Sequence, residues 1–515
     1  MEGRIVQSTT RANAPDPILC PDIVGLRHLP TAASSRLVGL LAILAALGCT
    51  SSPAPIPGVA PHDASSPPSP DAAPDNAISP DQLTDLSPPI SGLVKISAAP
   101  ASRTPHTTSC IGVSYWQWSP TWGNLVAGTE TQVAALKPMV IRIGGYNNDT
   151  NTPDTFDNVQ MDKAVAYARA IGAEPIVQVP LLAADNKGTA PTPENAVAMV
   201  TYANVTAKYG IKYFSIGNEP DLYPDATGST IGIAGYTAND FCTSLSAYAA
   251  AMKVADPTIK ILGPELSWKY QSGANDWLTT ILQTCGTSVD IVTVHRYPID
   301  PTKTTLAAAA ADATSLNGTI RHLRSIMQQA GVGDKPLAIT EANITWDGDP
   351  VKSTMPASPG TVPAGLWAAD TFGVGMQNGL WTMLYWSTRE GWTLGLFPSS
   401  GMTPRPSYWA LDLYANHFGP TLLSVTSTPD GVRVYASRNQ ADDATQLVVI
   451  NWNQASAILT FQIDDLATAP AATTFTLPAV SFAAVEIPDV GAASALSYSE
   501  TQRQAGQAPQ PLASP

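Results

Sequence analysis

A chain of 515 residues exceeds one average domain and suits a large barrel with a smaller module beside it. Hydrophobic residues make up 44% and charged residues only 13%, with a formal net charge of -14, so charge gives no footing for nucleic-acid binding. An acidic, sparsely charged surface suits a neutral polymer as partner.

The chain opens with an address. Arg36 precedes the apolar run 37–48, which ends Ala46-Leu47-Gly48-Cys49 and gives way to Thr50-Ser51-Ser52-Pro53, in the order of a charged region, an apolar core and a processing site. The run is too short to span a bilayer. Its last four residues resemble a bacterial lipobox with Cys49 as the lipidated residue, although Ala46 stands where leucine is usual. An ordinary secretory signal is the alternative, and both readings export the protein to the cell surface, the periplasm or beyond. A polar extension over 1–33 is unusual ahead of such a signal, so the expected start lies further in, at Val24 or a nearby leucine. Residues 1–49 are therefore read as the export segment, with the membrane touched only through the lipid.

Residues 50–91 are rich in Pro, Ser, Ala and Asp, cannot bury enough apolar surface to fold, and read as a tether. A strand within 92–104, where Leu93 to Ala98 alternates, is expected to join a later β-domain. Between 105 and 419 short apolar runs alternate with helical patterns. Strands are expected at 110–115, 139–144, 175–181, 212–218, 260–265, 290–296, 336–341 and 380–387, with helical spacing in 161–171, 194–209, 238–254, 306–330 and 365–377. Eight such units make the fold class α/β, a closed (β/α)8 TIM barrel, with a doubly wound open sheet as the alternative. Alternating runs at 431–437, 446–451, 458–463 and 481–487 make 420–489 a small antiparallel β-sandwich. The last stretch, 490–515, is polar and aperiodic and is expected to be unstructured.

Beyond Cys49 the later cysteines Cys110, Cys242 and Cys285 lack metal-ligand spacing, and Cys242 and Cys285 are expected as buried thiols, a bridge between them being the lesser reading. The histidines show no paired ligand spacing either, so no metal or other cofactor is expected.

Two glutamates end apolar runs. Glu219 closes Tyr213-Phe214-Ser215-Ile216-Gly217-Asn218-Glu219, and Glu341 closes Pro336-Leu337-Ala338-Ile339-Thr340-Glu341, which places them after the fourth and seventh barrel strands. Barrel enzymes build their sites on that rim, and two carboxylates there can serve as acid and nucleophile for cleaving a glycosidic bond. The segment Ile216-Gly217-Asn218-Glu219-Pro220-Asp221-Leu222-Tyr223 resembles the acid/base segment of clan A glycoside hydrolases.

Within that clan, Ile141-Arg142-Ile143-Gly144-Gly145, Thr192-Pro193-Glu194-Asn195-Ala196 and Arg405-Pro406-Ser407-Tyr408-Trp409-Ala410-Leu411 resemble family 79, the β-glucuronidase and heparanase group. Tyr146-Asn147-Asn148-Asp149 and Glu341-Ala342-Asn343-Ile344-Thr345-Trp346 depart from that family, so uronic-acid specificity does not carry over, and families 39 and 44 share the broad architecture. The resemblance implies a retaining β-glycosidase acting on an extracellular poly- or oligosaccharide, with Glu219 as acid/base and Glu341 as nucleophile. It implies contact of Asn218 with a sugar hydroxyl and of Tyr297 with the nucleophile, beside His295. By position, Arg142 would hold Glu341 ionised and Trp386 would form a stacking platform, while Tyr115, Trp116 and Trp118 would form an outer sugar subsite. The rival class is a carbohydrate-binding barrel lipoprotein without catalysis.

Overall fold

The computed structural model describes residues 88–513, apart from 107–109, 117–125, 150–156, 183–190, 226–231, 271–275, 350–353, 391 and 467–469. Cys49, the tether and Trp118 therefore lie outside the described residues.

Two strands precede the barrel, β1 (Ile90–Ser97) and the short β2 (Thr104–Pro105). The barrel strands are β3 (Ile111–Trp116), β4 (Val140–Gly144), β5 (Glu174–Val179), β6 (Tyr213–Ile216), β7 (Lys260–Leu266), β8 (Ile291–Arg296), β9 (Leu337–Ala342) and β10 (Thr382–Tyr385). They pair in parallel in chain order, and β10 closes on β3 through Met383 and Ile111. Each strand is followed by a helix, from Glu130–Ala135 to Pro406–Asn416. Several helices start on sequence-encoded caps. Thr237 and Asp240 form a capping box at Ala238–Ala255, and Asp276 accepts from the Thr279 amide at 3.0 Å ahead of Trp277–Cys285.

Strand periodicity sorts the barrel interior into layers. Val140, Ile176, Leu262, Ile291, Ala338 and Leu384 form an apolar plug near the amino-terminal end. Two residues further along four of these strands, on the same face, come Arg142, Gln178, Thr293 and Thr340, all buried. The interior thus turns from apolar to polar toward the carboxyl rim.

The second module comprises β11 (Thr421–Ser427), β12 (Val432–Arg438), β13 (Ala444–Asn451), β14 (Ala457–Asp464), β15 (Thr473–Leu477), β16 (Ser481–Pro488), β17 (Ser494–Tyr498) and β18 (Gln510–Pro511). Its strands run in the order β15-β14-β1-β11-β12-β13-β16-β17-β18. Apolar residues of β1, β14 and β15 share one core with those of β12, β13 and β16, as in a sandwich. The segment Leu93 to Ala98 lies in and just after β1, which pairs antiparallel with β11 but parallel with β14. The outer face of β13 and β16 joins the barrel core instead, where Trp452 Nε1 donates to Asp370 at 3.0 Å on helix Val362–Gln377.

Two expectations are corrected. Residues 494–511 are ordered: β17 pairs with β16, and the Tyr498 ring stacks on Phe482 at 5.2 Å, which supplies the apolar anchor that a mostly polar tail did not advertise. Cys242 and Cys285 are joined in a disulfide, with a Cα–Cα distance of 5.6 Å. The helix carrying Cys285 is only nine residues long, so its end falls beside the second turn of the helix carrying Cys242, within bridging range. Cys110 is a buried thiol.

Candidate active site

Glu219 sits three residues beyond β6. Gly217 adopts φ 75°, and a Cβ there would stand 2.8 Å from Leu181 Cδ1, so glycine is required for the turn. Glu219 itself holds φ 49°, a left-handed conformation uncommon for a residue with a side chain, and its amide donates to the Glu265 carbonyl at 3.0 Å. Glu341 stays within β9. The register between β8 and β9 shifts at Val294/His295, so that His295 lies opposite Glu341. Such an irregularity re-aims side chains at a barrel rim.

The two carboxylates meet. Oxygens of Glu219 and Glu341 and a nitrogen of His295 all lie within 4.8 Å of one another. Arg142, fully buried on β4, donates to Glu341 Oε1 at 2.6 Å, to Asn218 Oδ1 at 2.8 Å and to Gln178 Oε1 at 3.1 Å. The Tyr297 hydroxyl donates to Glu341 Oε2 at 2.7 Å. His295 places Nδ1 3.0 Å from Glu219 Oε1 and 3.6 Å from Glu341 Oε2, and Nε2 2.9 Å from Glu265 Oε2.

These contacts set the protonation states. Burial, with the neighbouring Glu219, raises the Glu341 carboxyl above its ordinary value, although His295, Arg142 and the Tyr297 hydroxyl pull in the opposite direction. Burial by itself would lower His295, but the charge of Glu341 and the contacts with Glu219 and Glu265 outweigh it and push the imidazole up to about 10. Burial works against ionised Glu265, yet Arg142, His295 and Thr340 hold it below the usual carboxylate range.

Glu219, His295 and Glu341 are also the group of described residues with ligating atoms close enough to suggest a cation. Their chemistry does not fit one. The two His295 nitrogens are engaged by Glu219 and Glu265, and the Arg142 guanidinium and the Tyr297 hydroxyl already occupy the two oxygens of Glu341.

Above the pair opens a cleft of about 610 Å³ whose walls include Trp116, Tyr146, Trp268, Trp346 and Trp386. Trp116 Nε1 donates to Asn147 Oδ1 at 3.1 Å. Gly145, at φ 117°, is the close neighbour of Trp386: a Cβ there would lie 2.6 Å from Cη2 of the indole. A second cavity of about 520 Å³, lined by Arg296, Asp312, Ser315 and Thr319 among others, shares Ser267, Trp268 and Tyr297 with the cleft.

The structure brings Glu219, Glu341, Asn218, Arg142, His295, Tyr297, Trp116 and Trp386 into this one site. Tyr115 is not among them. It alternates with Ser114 and Trp116 on β3, points out of the barrel, and packs edge-on against Tyr167 at 5.6 Å between strand and helix. Sequence reasoning missed Glu265, Gln178 and Trp268. Glu265 ends the run Ile261-Leu262-Gly263-Pro264-Glu265, the same punctuation that marked Glu219 and Glu341, and that signal could have found it.

A closed (β/α)8 barrel with two carboxylates meeting on its carboxyl rim is the arrangement on which glycosidases are built. The sequence model of Glycoside hydrolase family 44 matches residues 182–290, a segment that carries Asn218, Glu219 and Glu265. No curated protein matches. Among solved structures, the bifunctional glucanase-xylanase CelM2 from a metagenome library is similar at 17% identity and a TM-score of 0.60, covering 77% of this chain and 99% of its own. A Paenibacillus polymyxa xyloglucanase of family 44 follows at 16% identity and 0.58, covering 78% and 99%. The α-L-arabinofuranosidase from Thermotoga maritima gives 17% and 0.55, covering 77% and 99%. None of these findings supports the likeness to family 79.

Proposed function

We propose that this chain is a retaining β-glycosidase that cleaves the backbone of a neutral extracellular polysaccharide by double displacement. The observation that carries the reading is the approach of Glu219 and Glu341 to within 4.8 Å on one barrel rim, which suits a nucleophile and an acid/base and leaves no room for the water an inverting enzyme activates. Glu341, gripped by Arg142 and Tyr297, attacks the anomeric carbon as Glu219 protonates the departing oxygen. Glu219 then takes a proton from water, which releases the sugar from Glu341 with its anomeric configuration retained. Asn218, oriented by Arg142, is placed for the sugar hydroxyl next to the reacting carbon.

The walls speak for the substrate class. Among the described residues the cleft walls carry no basic side chain, and the tryptophans offer flat faces to neutral rings. The cleft adjoins the second cavity, and Trp268 and Trp346 stand half exposed at its margin, which favours internal cleavage of a chain. Family 44, with its glucanase and xyloglucanase neighbours, fits these walls better than family 79. Action outside the cytoplasm as a lipoprotein anchored at Cys49 draws support from the Cys242–Cys285 bridge, since such bonds persist in oxidising compartments. Palmitate labelling of wild type but not of Cys49→Ser tests the anchor.

The catalytic reading is tested by assaying wild type, Glu219→Gln and Glu341→Gln on aryl β-glycosides and on linear and branched β-glucans. Turnover should vanish with Glu341→Gln. It should fall by about 10²- to 10⁴-fold with Glu219→Gln on substrates whose leaving group needs a proton. Azide should give a β-glycosyl azide with Glu219→Ala and an α-glycosyl azide with Glu341→Ala. Full turnover in both glutamine variants would sink the assignment of the two glutamates, and absence of turnover in wild type on every substrate would leave the binding-only barrel.

A further inference from the structure

We infer that Glu265 is a positioning residue that locks His295 in its doubly protonated form, so that the charges of the buried site cancel through both halves of the reaction. The inference rests on the reading of Glu219 and Glu341 given above.

The geometry begins at β7. Its register against β8 shifts between Pro264 and Leu266, and Glu265 takes φ 57°, which turns the side chain into the barrel beneath the reacting pair. There Glu265 is fully buried. Its Oε2 accepts from the Thr340 hydroxyl, faces His295 Nε2 at 2.9 Å and lies 3.8 Å from Arg142 Nε. Its amide donates to Thr293 Oγ1 at 3.1 Å, and its carbonyl holds the Glu219 amide at 3.0 Å. A carboxylate so enclosed offers only lone pairs, so Nε2 must bring a proton.

The opposite nitrogen is fixed by what stands before it. Nδ1 faces Glu219 at 3.0 Å and Glu341 at 3.6 Å. With Nδ1 bare, a protonated Glu219 would give its O–H to the imidazole and not to a leaving group. With Nδ1 protonated, the N–H supports whichever carboxyl is ionised. The charged and titratable groups around the ring are Arg142, Glu219, Glu265, Glu341 and Tyr297, with the Tyr270 hydroxyl donating to the His295 carbonyl at 2.7 Å. Asp149 and Glu390 stand one step away, Asp149 at the Asn218 backbone and Glu390 beside Trp386.

The charges then balance in both states. In the free enzyme Arg142 and His295 are positive, Glu265 and Glu341 negative, and Glu219 carries a proton. In the first step the glycosidic C–O bond breaks, the Glu219 proton goes to the departing oxygen, and a Glu341 oxygen bonds to the anomeric carbon. Glu341 is now a neutral ester and Glu219 an anion, so the total is unchanged. Without the Glu265 charge the site would carry a surplus positive charge that draws the proton off Glu219, or His295 would shed its own.

Two measurements test this. Nitrogen-15 spectra of the six histidines, one of them His295, should show both ring nitrogens of His295 protonated at pH 8 in wild type. Glu265→Gln should bring loss of that proton into the range of pH 6 to 8. It should also move the alkaline limb of kcat/KM to lower pH by about one unit or more. Glu265→Asp, which keeps the charge, should leave the limb in place while lowering kcat. A singly protonated His295 in wild type at pH 8 overturns the inference even if the glutamine variant fails to fold. So does a folded Glu265→Gln protein with an unmoved limb, or an aspartate variant that shifts as far as the glutamine one. If Glu219→Gln and Glu341→Gln kept full turnover, the catalytic reading would fall, while the ring spectra would still decide the state of His295.

Discussion

Arg142 and Glu341 stand on different strands of the barrel, β4 and β9, yet their side chains meet at 2.6 Å inside it. The same guanidinium reaches Asn218 and Gln178, so one planar fork orients the nucleophile and the residue beside the acid/base together. Arg142→Lys keeps the charge but not the fork. Its kcat/KM should fall by about 10²- to 10³-fold, the order of effect seen when a pre-organised donor is removed from a reacting site. A loss below about fivefold in steady-state assays would mean that charge alone suffices.

Trp386 and Gly145 share one wall. Because a Cβ at Gly145 would overlap the indole and the backbone there holds φ 117°, Gly145→Ala should displace the platform. Its KM for oligosaccharides should rise in parallel with that of Trp386→Ala, and the double variant should be no worse than the stronger single one. Additive losses in a double-mutant cycle would show that the two act separately.

Asp149 and Glu390 are each pushed by burial up to about 7. Asp149 holds on through the Tyr223 hydroxyl at 2.5 Å and the Leu181 amide at 3.0 Å. Between the ordinary carboxylate value near 4 and about 7, the folded protein keeps protons that the unfolded chain has released, so stability falls as pH rises through that window. Wild type should therefore melt higher at pH 5 than at pH 8. Asp149→Asn combined with Glu390→Gln should shrink that difference, and equal differences in the two proteins would contradict the assignment.

The Cys242–Cys285 bridge closes a loop with a sequence separation of 43. In the loop-entropy account such a bridge is worth about 4 kcal/mol. Reduction, or Cys242→Ser with Cys285→Ser, should lower Tm by roughly 5 °C for a domain of this size. Because both cysteines lie on outer helices, kcat at low temperature should hold. Unchanged melting would show that the unfolded chain is already confined.

Strand periodicity and the glutamates at the ends of apolar runs were legible because they are local. Alternation of two and helical spacing specify which face of each element is buried, and eight such units close into only a few architectures. The same alternation, read residue by residue, would have turned Tyr115 away from the cleft, since its neighbours Ser114 and Trp116 point inward. The tail at 494–511 escaped notice because its strand is stabilised by partners outside it, chiefly Phe482 beneath Tyr498.

By itself, then, the amino-acid order determined a (β/α)8 barrel with an appended β-module and put Glu219 and Glu341 on one rim. Only the tertiary structure decided what those carboxylates touch. Register shifts at Pro264/Leu266 and Val294/His295 break the simple alternation where the strands reach the mouth, and they place Glu265 and Glu341 on either side of His295. Those shifts depend on how neighbouring strands pair across the sheet, an energy shared between segments distant in sequence. The cysteine bridge was decided in the same way, by the packing of two helices against each other.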